Sequence, residues 1–577
     1  MNRLVVLAGL LVALALGTAL GFAPPDGLEG FWEGSITPNP LAEVRVTLRI
    51  DRGPDGALRA RAESPEMASQ PPIDFDVVEV NGTPIRLASK KNARTFQGTL
   101  NPAGNELAGE LKGANGGVPI TFARLKGPFT RSDVWEGSLV ANGGIKLRLV
   151  FHARKVDGGG TRATMDSPDQ GAFGFKVDQA EVSDQAVKFV LANIGEFDGK
   201  PDAKGESAQG VWKQGGMSTA LTLKKLAAPS VVNRPQTPKG PFPYRSEEVA
   251  YDSVAKGVRI AGTLTLPEGK GPFPAALLIT GSGPQDRDES LLGHKPFLVL
   301  ADALTRRGIA VLRVDDRGVG GSTGSQATAT TADFAEDVRG GVAFLKGDAR
   351  IKPGRIGLIG HSEGGLIAPI VAASSDDVAF IILLAGPGLP GDEILVAQTD
   401  LILKASGADA ATTERSVANQ RKFLAIAKGT VDSQAAVAQL KAAQDEMVKL
   451  LPEAERKAIQ AADPSGAGIK ALTTPWMRYF LTYDPRPTLA KVRCPVLAIN
   501  GELDLQVPCR ENLDAVEKAI RSGGNPRVTA RAMPGLNHLF QPTKTGAPSE
   551  YATIEETFSP DALKLVGDWI LEQAKGQ

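Results

Sequence analysis

Two regimes of apolar spacing divide the chain. In its first part, apolar and polar residues alternate. Val44, Val46, Leu48 and Ile50 alternate with Arg45, Thr47 and Arg49, and Ile145, Leu147, Leu149 and Phe151 alternate with Lys146 and Arg148. A period of two buries one face of a strand and leaves the other in water. Such runs recur between Gly, Asp, Asn and Pro turns, which predicts antiparallel sheet. From Ser246 onward the pattern changes to continuous apolar runs: ALLIT (276–280), IAVLRVD (309–315), RIGLIG (355–360), VAFIILLAG (378–386) and PVLAING (495–501). Helical patterns such as LVLADALTRRG separate them. Buried strands alternating with helices predict a parallel sheet covered on both faces.

The β part repeats. FWEGS at Phe31–Ser35 returns as VWEGS at Val134–Ser138, 103 residues later, and Glu63–Pro65 returns as Asp166–Pro168 at the same interval. Phe96 to Gly98 returns as Phe197 to Gly199, and Leu125 as Leu226, both after 101 residues. Matches at nearly one interval argue for duplication. The expected organisation is two small antiparallel barrels or sandwiches over 27–126 and 130–226, in a spacer or substrate-presenting role. A proline-rich linker over 227–245 follows, then an α/β domain over 246–577. His152 is a lone histidine on a strand and reads as structural.

From residue 362 to 504 the chain runs 142 residues, more than one further strand and helix require. The surplus, about 391–483, has helix-forming composition and spacings of three and four, which predicts a helical cap over the strand ends. Trp476, Met477, Tyr479 and Phe480 in it either line an acyl pocket or pack the cap onto the core.

Charge changes this picture little. Lys+Arg and Asp+Glu both number 65 among 577 residues, which excludes a strongly basic nucleic-acid or membrane-surface binder. Four histidines and two cysteines form no convincing metal cluster. Arg3, the apolar stretch Leu4–Leu16 and Ala19-Leu20-Gly21 read as a cleaved signal peptide over 1–21, and hence as export to the periplasm or beyond. If retained, the leader is an anchor, and no other stretch is of membrane length. Cys494 starts a predicted strand and Cys509 lies past its far end. That separation exceeds the reach of a disulfide, about 7 Å between Cα atoms.

The chemistry concentrates at Gly360-His361-Ser362-Glu363-Gly364. Gly-x-Ser-x-Gly between a buried strand and a buried helix is a nucleophile elbow: the turn is too tight for side chains beside the serine. A serine hydroxyl needs a base. His538 follows the last predicted strand, and Asp504 lies just past PVLAING, so Ser362, Asp504 and His538 fall in the order this architecture uses. Glu502 is the runner-up acid, and His294 reads as supporting structure. The backbone N–H groups of Glu363 and Ser282, with Gly283 next, are the expected oxyanion donors. The Glu363 side chain is expected to turn away and pair with Arg317 or Arg287, or else to be solvated.

Gly281–Asp288 (GSGPQDRD) and Asp315–Ser322 (DDRGVGGS), with GHSEGG, resemble motifs of exported bacterial esterases of the α/β-hydrolase superfamily. The resemblance runs from about Tyr244 to the C-terminus and extends to the serine aminopeptidase group. It implies hydrolysis of a small-molecule carboxylic ester through an acyl-enzyme, without metal or cofactor. One alternative is a peptidase acting on small peptides or amides, with Asp286 and Asp288 offering a subsite for a charged terminus. Another is a binding protein whose β repeats hold a glycan or lipid beside a vestigial hydrolase. Serine rather than aspartate at the elbow disfavours a haloalkane dehalogenase.

Overall fold

The computed structural model describes residues 28–575 except 40–41, 66–71, 81, 90–93, 114–115, 131, 141–145, 157–158, 171, 193, 215–216, 231–232, 431, 450–455 and 457–466. The expected signal peptide lies outside the described residues. The chain divides into two units, Met1–Arg131 and Ser132–Gln577.

In the first unit an antiparallel meander runs from Gly30–Asn39 to Gly116–Arg124 and closes on itself where Trp32 stands opposite Arg124. Trp32, Leu48, Leu87 and Phe96 fill its interior. The second unit opens with the same meander, Asp133–Val140 to Met217–Leu226, closed by Val134 opposite Leu226 and filled by Trp135, Phe151, Phe197 and Trp212. The two copies match in register. Trp32 pairs with Leu48 as Trp135 pairs with Phe151, and Phe96 pairs with Leu111 as Phe197 pairs with Trp212. Even the packing of one glycine repeats: a Cβ on Gly98 or on Gly199 would stand 2.5 Å from the Phe96 or Phe197 ring. The wet face expected of the alternating strands is only partly wet. Arg45 and Thr47 are buried, with Arg45 bonded to Glu33 at 3.1 Å and to the Thr130 carbonyl at 3.2 Å, and Thr47 to the Glu63 carbonyl at 3.2 Å. His152 is buried against Asp166 at 2.8 Å.

The rest of the second unit is built on an eight-stranded sheet. Its spatial order is Arg245–Asp252, Arg259–Leu266, Ala310–Val314, Phe273–Ile279, Ile351–His361, Val378–Leu384, Val496–Gly501 and Val528–Met533. Arg259–Leu266 runs antiparallel to both its neighbours, and the strands from Ala310–Val314 onward are parallel to one another. Leu277, Leu358 and Ile381 face one covering layer and Leu278, Ile359 and Ile382 the other, so both sides of each central strand are buried. This is why these strands read as unbroken apolar runs. From Phe273–Ile279 the chain steps outward to Ala310–Val314, then back across to Ile351–His361. That reversal opens a crevice at the carboxyl ends of the strands, where ligands bind in such sheets.

Between Val378–Leu384 and Val496–Gly501 lie the helices Gly391–Ala405, Ala410–Gly429, Ser433–Lys449, Ala467–Ala471 and Pro475–Thr482. Among the described residues no helix is long and apolar enough to cross a membrane. Cys494 and Cys509 are free thiols.

Candidate active site

Strand Ile351–His361 ends at Ser362, and helix Gly364–Ala372 begins two residues later. Ser362 takes φ 52°, a left-handed conformation costly for any residue with a Cβ. The turn is closed by Gly365 N–H donating to the Ser362 carbonyl at 2.8 Å. A Cβ on Gly360 would collide with the Gly364 carbonyl, one on Gly364 with the Ile279 carbonyl, and one on Gly365 with Gly386. The glycines of the motif are thus required by backbone packed on backbone.

His538 Nδ1 and Asp504 Oδ2 are 2.7 Å apart. Asp504 is fixed by accepting from the N–H groups of Gln506 at 2.8 Å and Val507 at 2.9 Å on its other oxygen. Glu502 is exposed, and it is Asp504 that the histidine meets. The loop carrying His538 is organised by Asn537, whose Oδ1 accepts from Leu539 N–H at 2.9 Å and Gln541 N–H at 3.0 Å. Ser362 and His538 line one cavity of about 240 Å³, together with Gly281, Ser282, Gln285, His294 and Leu539. The N–H groups of Ser282 and Glu363 have no acceptor among the described residues.

Two carboxylates, the buried Glu289 and the half-buried Asp316, brace the loop that lines this cavity. Glu289 Oε1 accepts from Gly281 N–H at 2.8 Å and meets His361 Nδ1 at 2.8 Å. His361 Nε2 lies 3.1 Å from the His538 carbonyl. Both ring nitrogens of His361 therefore face acceptors, which calls for a proton on each. Burial opposes that charge, but the Glu289 carboxylate outweighs it and raises the His361 pKa above the ordinary value. Asp316 accepts from Thr280 Oγ1 at 2.7 Å and Gln285 N–H at 3.0 Å, and burial, aided by the charges of Glu363 and Glu289, pushes its pKa up to about 7. His294 bonds Thr557 Oγ1 at 2.9 Å and the Tyr551 carbonyl at 3.1 Å. Burial and the nearby Arg234 push it down to about 4, so it is neutral structure at pH 7.

Residues 256–533 match the family model described as X-Pro dipeptidyl-peptidase (S15 family), a span that holds the elbow and Asp504.

The domain from Arg245 onward has an α/β-hydrolase-type fold. The chain is 33% identical over 139 residues to Esterase EstD of Thermotoga maritima, across 24% of this chain and 33% of that protein, so the match spans a third of the relative's length. Among solved structures, the esterase Pf2001 of Pyrococcus furiosus is 16% identical, with 60% of this chain and 99% of that one covered, at TM-score 0.35. Est1E of Butyrivibrio proteoclasticus, solved with ferulic acid, is 16% identical, with 56% and 99% covered, at TM-score 0.33.

The hydrolase domain corrects one expectation about a side chain. Glu363 pairs with neither arginine. It is 2% exposed and accepts from Thr331 Oγ1 at 2.7 Å and from Trp476 Nε1 at 2.8 Å. Arg287 goes instead to Asp315 at 2.7 Å and Glu248 at 2.6 Å, and Arg317 to Asp337 at 2.7 Å. Those acids lie on other elements: Asp315 just past strand Ala310–Val314, Glu248 on strand Arg245–Asp252 and Asp337 on helix Thr331–Gly347. Without a cation, burial raises the Glu363 pKa. Of the two readings of Trp476, Met477, Tyr479 and Phe480, the contacts favour packing over pocket lining. Trp476 stacks on Phe480, Tyr479 on Tyr483, and Met477 packs against Leu424, Ala427 and Leu481. None of the four is among the residues lining the Ser362 cavity. Sequence reading missed Glu289 and Asn537. Glu289 directly follows the GSGPQDRD motif, and Asn537 directly precedes His538, the kind of neighbour that orders a loop through its own side chain.

Proposed function

We propose that this α/β-hydrolase cleaves small carboxylic esters through an acyl-enzyme. The observation that carries the reading is the Asp504–His538 contact of 2.7 Å, with His538 and Ser362 lining one cavity of about 240 Å³. Asp504 engages Nδ1, which leaves Nε2 to take the Ser362 proton as Oγ attacks the ester carbonyl. The N–H groups of Ser282 and Glu363 receive the oxyanion. His538 returns the proton to the departing alcohol. Water then repeats the attack on the acyl-enzyme and releases the acid and free Ser362.

The S15 match favours a second reading, a peptidase. A peptidase that recognises a free amino terminus needs an unengaged acid. Asp286 is occupied by the N–H groups of Asp288 and Ser290 and by the Ser290 hydroxyl, and Asp288 by Arg313 and Lys295. Glu289 is held by His361. Such acids favour the ester. The leader supports export to the periplasm or beyond, and N-terminal sequencing of the mature protein tests it.

The deciding experiment is turnover of p-nitrophenyl esters from acetate to dodecanoate beside aminoacyl and X-Pro p-nitroanilides, with Ser362→Ala in parallel. Turnover of short esters, abolished in the variant, is expected. Anilide turnover without ester turnover would move the reading to the peptidase. Activity that survives in Ser362→Ala would remove the mechanism.

A further inference from the structure

The residue before the nucleophile is a histidine that the mechanism above leaves unused. His361 ends strand Ile351–His361, is buried, and bonds to two loops at once. On one side its Nδ1 stands 2.8 Å from Glu289 Oε1, which also accepts from Gly281 N–H at 2.8 Å. On the other its Nε2 stands 3.1 Å from the His538 carbonyl. A carbonyl oxygen only accepts, and Glu289 Oε1 already accepts from Gly281. Both ring nitrogens therefore donate, and the ring is an imidazolium.

The loop end of this contact is packed for it. A Cβ on Gly281 would stand 3.3 Å from Ser362 Cβ and 3.5 Å from His361 Nδ1, so the loop lies directly against the nucleophile. Glu289 holds φ 53°, a left-handed conformation costly for a residue with a Cβ, in the place where its carboxylate reaches Gly281 and His361 together. The other end is the base itself. His538 is held twice, by its carbonyl on His361 and by Nδ1 on Asp504 at 2.7 Å. One run of hydrogen bonds thus goes from Gly281 through Glu289 and His361 to His538 and Asp504.

We infer that His361 is a positioning residue: as an imidazolium with two acceptors it holds the oxyanion loop and the base loop in register about Ser362, so that turnover needs His361 charged while His538 is neutral. The inference rests on the ester-hydrolase reading. The titratable groups facing the ring are Glu289, His538, whose ring centroid is 4.8 Å away, and Asp504 behind it. Burial opposes the charge, and Glu289, the His538 carbonyl and Asp504 together outweigh it. The run is intact at low pH. Rising pH removes the proton, leaves one ring nitrogen with nothing to donate and frees one of the two loops. Small misplacements of catalytic groups are costly in rate.

The test is the pH dependence of hydrolysis of the ethyl ester of the preferred acid, followed by pH-stat, beside nitrogen NMR of the four histidine rings in the full-length protein. The His361 signals are those missing from His361→Phe or His361→Gln. In the wild type the ring is expected to carry protons on both nitrogens at about pH 7. As it loses one, kcat should fall about 10-fold with KM within about 2-fold. Glu289→Gln offers Gly281 an acceptor and a neutral His361 a donor. Its His361 ring should be neutral at about pH 7, and the alkaline fall in kcat should be gone. His361→Phe breaks both ties and should lose about 10-fold in kcat, more than Glu289→Gln, with no alkaline fall. A wild-type ring that is neutral at about pH 7, a kcat that holds while the ring loses its proton, an alkaline fall that persists in Glu289→Gln, or an undiminished kcat in His361→Phe would overturn the inference. Absence of wild-type ester turnover, or its persistence in Ser362→Ala, would instead bring down the reading beneath it, and the ring spectra would still report the charge on His361.

Discussion

Asp316 and Glu289 show how a loop of small residues is held for chemistry by acids it does not contain or does not advertise. Asp316 titrates near 7, against an ordinary value of 3.8. The stability contributed by its neutral form is complete below the unfolded value and is lost as pH rises through about 7. Asp316→Asn stays neutral, so the melting temperature of the variant should fall less than that of the wild type as pH rises from about 4 to 8, a difference that thermal melts across pH will measure. Glu289 holds Gly281 N–H and the His361 imidazolium at once. Glu289→Ala strands both, and is expected to lower kcat about 10-fold or more, whereas Glu289→Gln, able to accept from Gly281 and donate to a neutral His361, should lose less. Steady-state kinetics of the pair separates the two. Ser362, Asp504 and His538 were legible as candidates because few residues of the right type stand at strand ends. The partner of Glu363 was not, because the Trp476 indole lies 113 residues away in sequence.

At the scale of elements, the central strands announce themselves and the edges do not. Val528–Met533 reads Val-Thr-Ala-Arg-Ala-Met, with exposed Thr529, Arg531 and Ala532. Such a strand lies at the sheet edge and lacks the unbroken apolar run of its neighbours. The antiparallel pair Arg245–Asp252 and Arg259–Leu266 was likewise hidden in the sequence, since a parallel α/β pattern gives no signal for it. Core and cap should respond differently to truncation. Leu358→Ala in the doubly covered sheet is expected to cost about 2–5 kcal/mol of global stability, read by chemical denaturation. Leu481 packs only within the small cap cluster of Leu424 and Ala427. Leu481→Ala should hasten proteolysis within 391–483 ahead of the sheet, a local opening that limited digestion and mass spectrometry will locate.

Across the second unit, the segment between barrel and sheet is a clamp. Arg234 donates to the carbonyls of Leu292 at 2.7 Å, Ile554 at 2.8 Å and Ala552 at 3.1 Å. Leu292 N–H donates to the Asp169 carbonyl of the second barrel at 2.7 Å, and Leu147 of that barrel packs against Leu292, Leu539 and Tyr551. Leu291, His294 and Leu539 line the Ser362 cavity, so this barrel backs one wall of it. Arg234→Ala leaves three carbonyls short of a donor. It is expected to destabilise by about 2–4 kcal/mol and to lower kcat/KM, to be read by denaturation and ester kinetics together. A proline-rich stretch without period reads as spacer, because nothing local distinguishes an arginine in water from one bonded to carbonyls 58 and 320 residues away.

What the sequence by itself determined is whatever depends on local stereochemistry and periodicity. The duplicated strands, the parallel layers and the glycine-bounded serine corner are of this kind, since each constrains neighbours in the chain. Only the tertiary structure decided which distant groups satisfy buried charge. It set Glu363 on Trp476, Glu289 on His361 and Arg234 on the loops around the cavity. A buried polar group takes whichever partner the fold brings within about 3 Å, and that proximity is absent from the linear order.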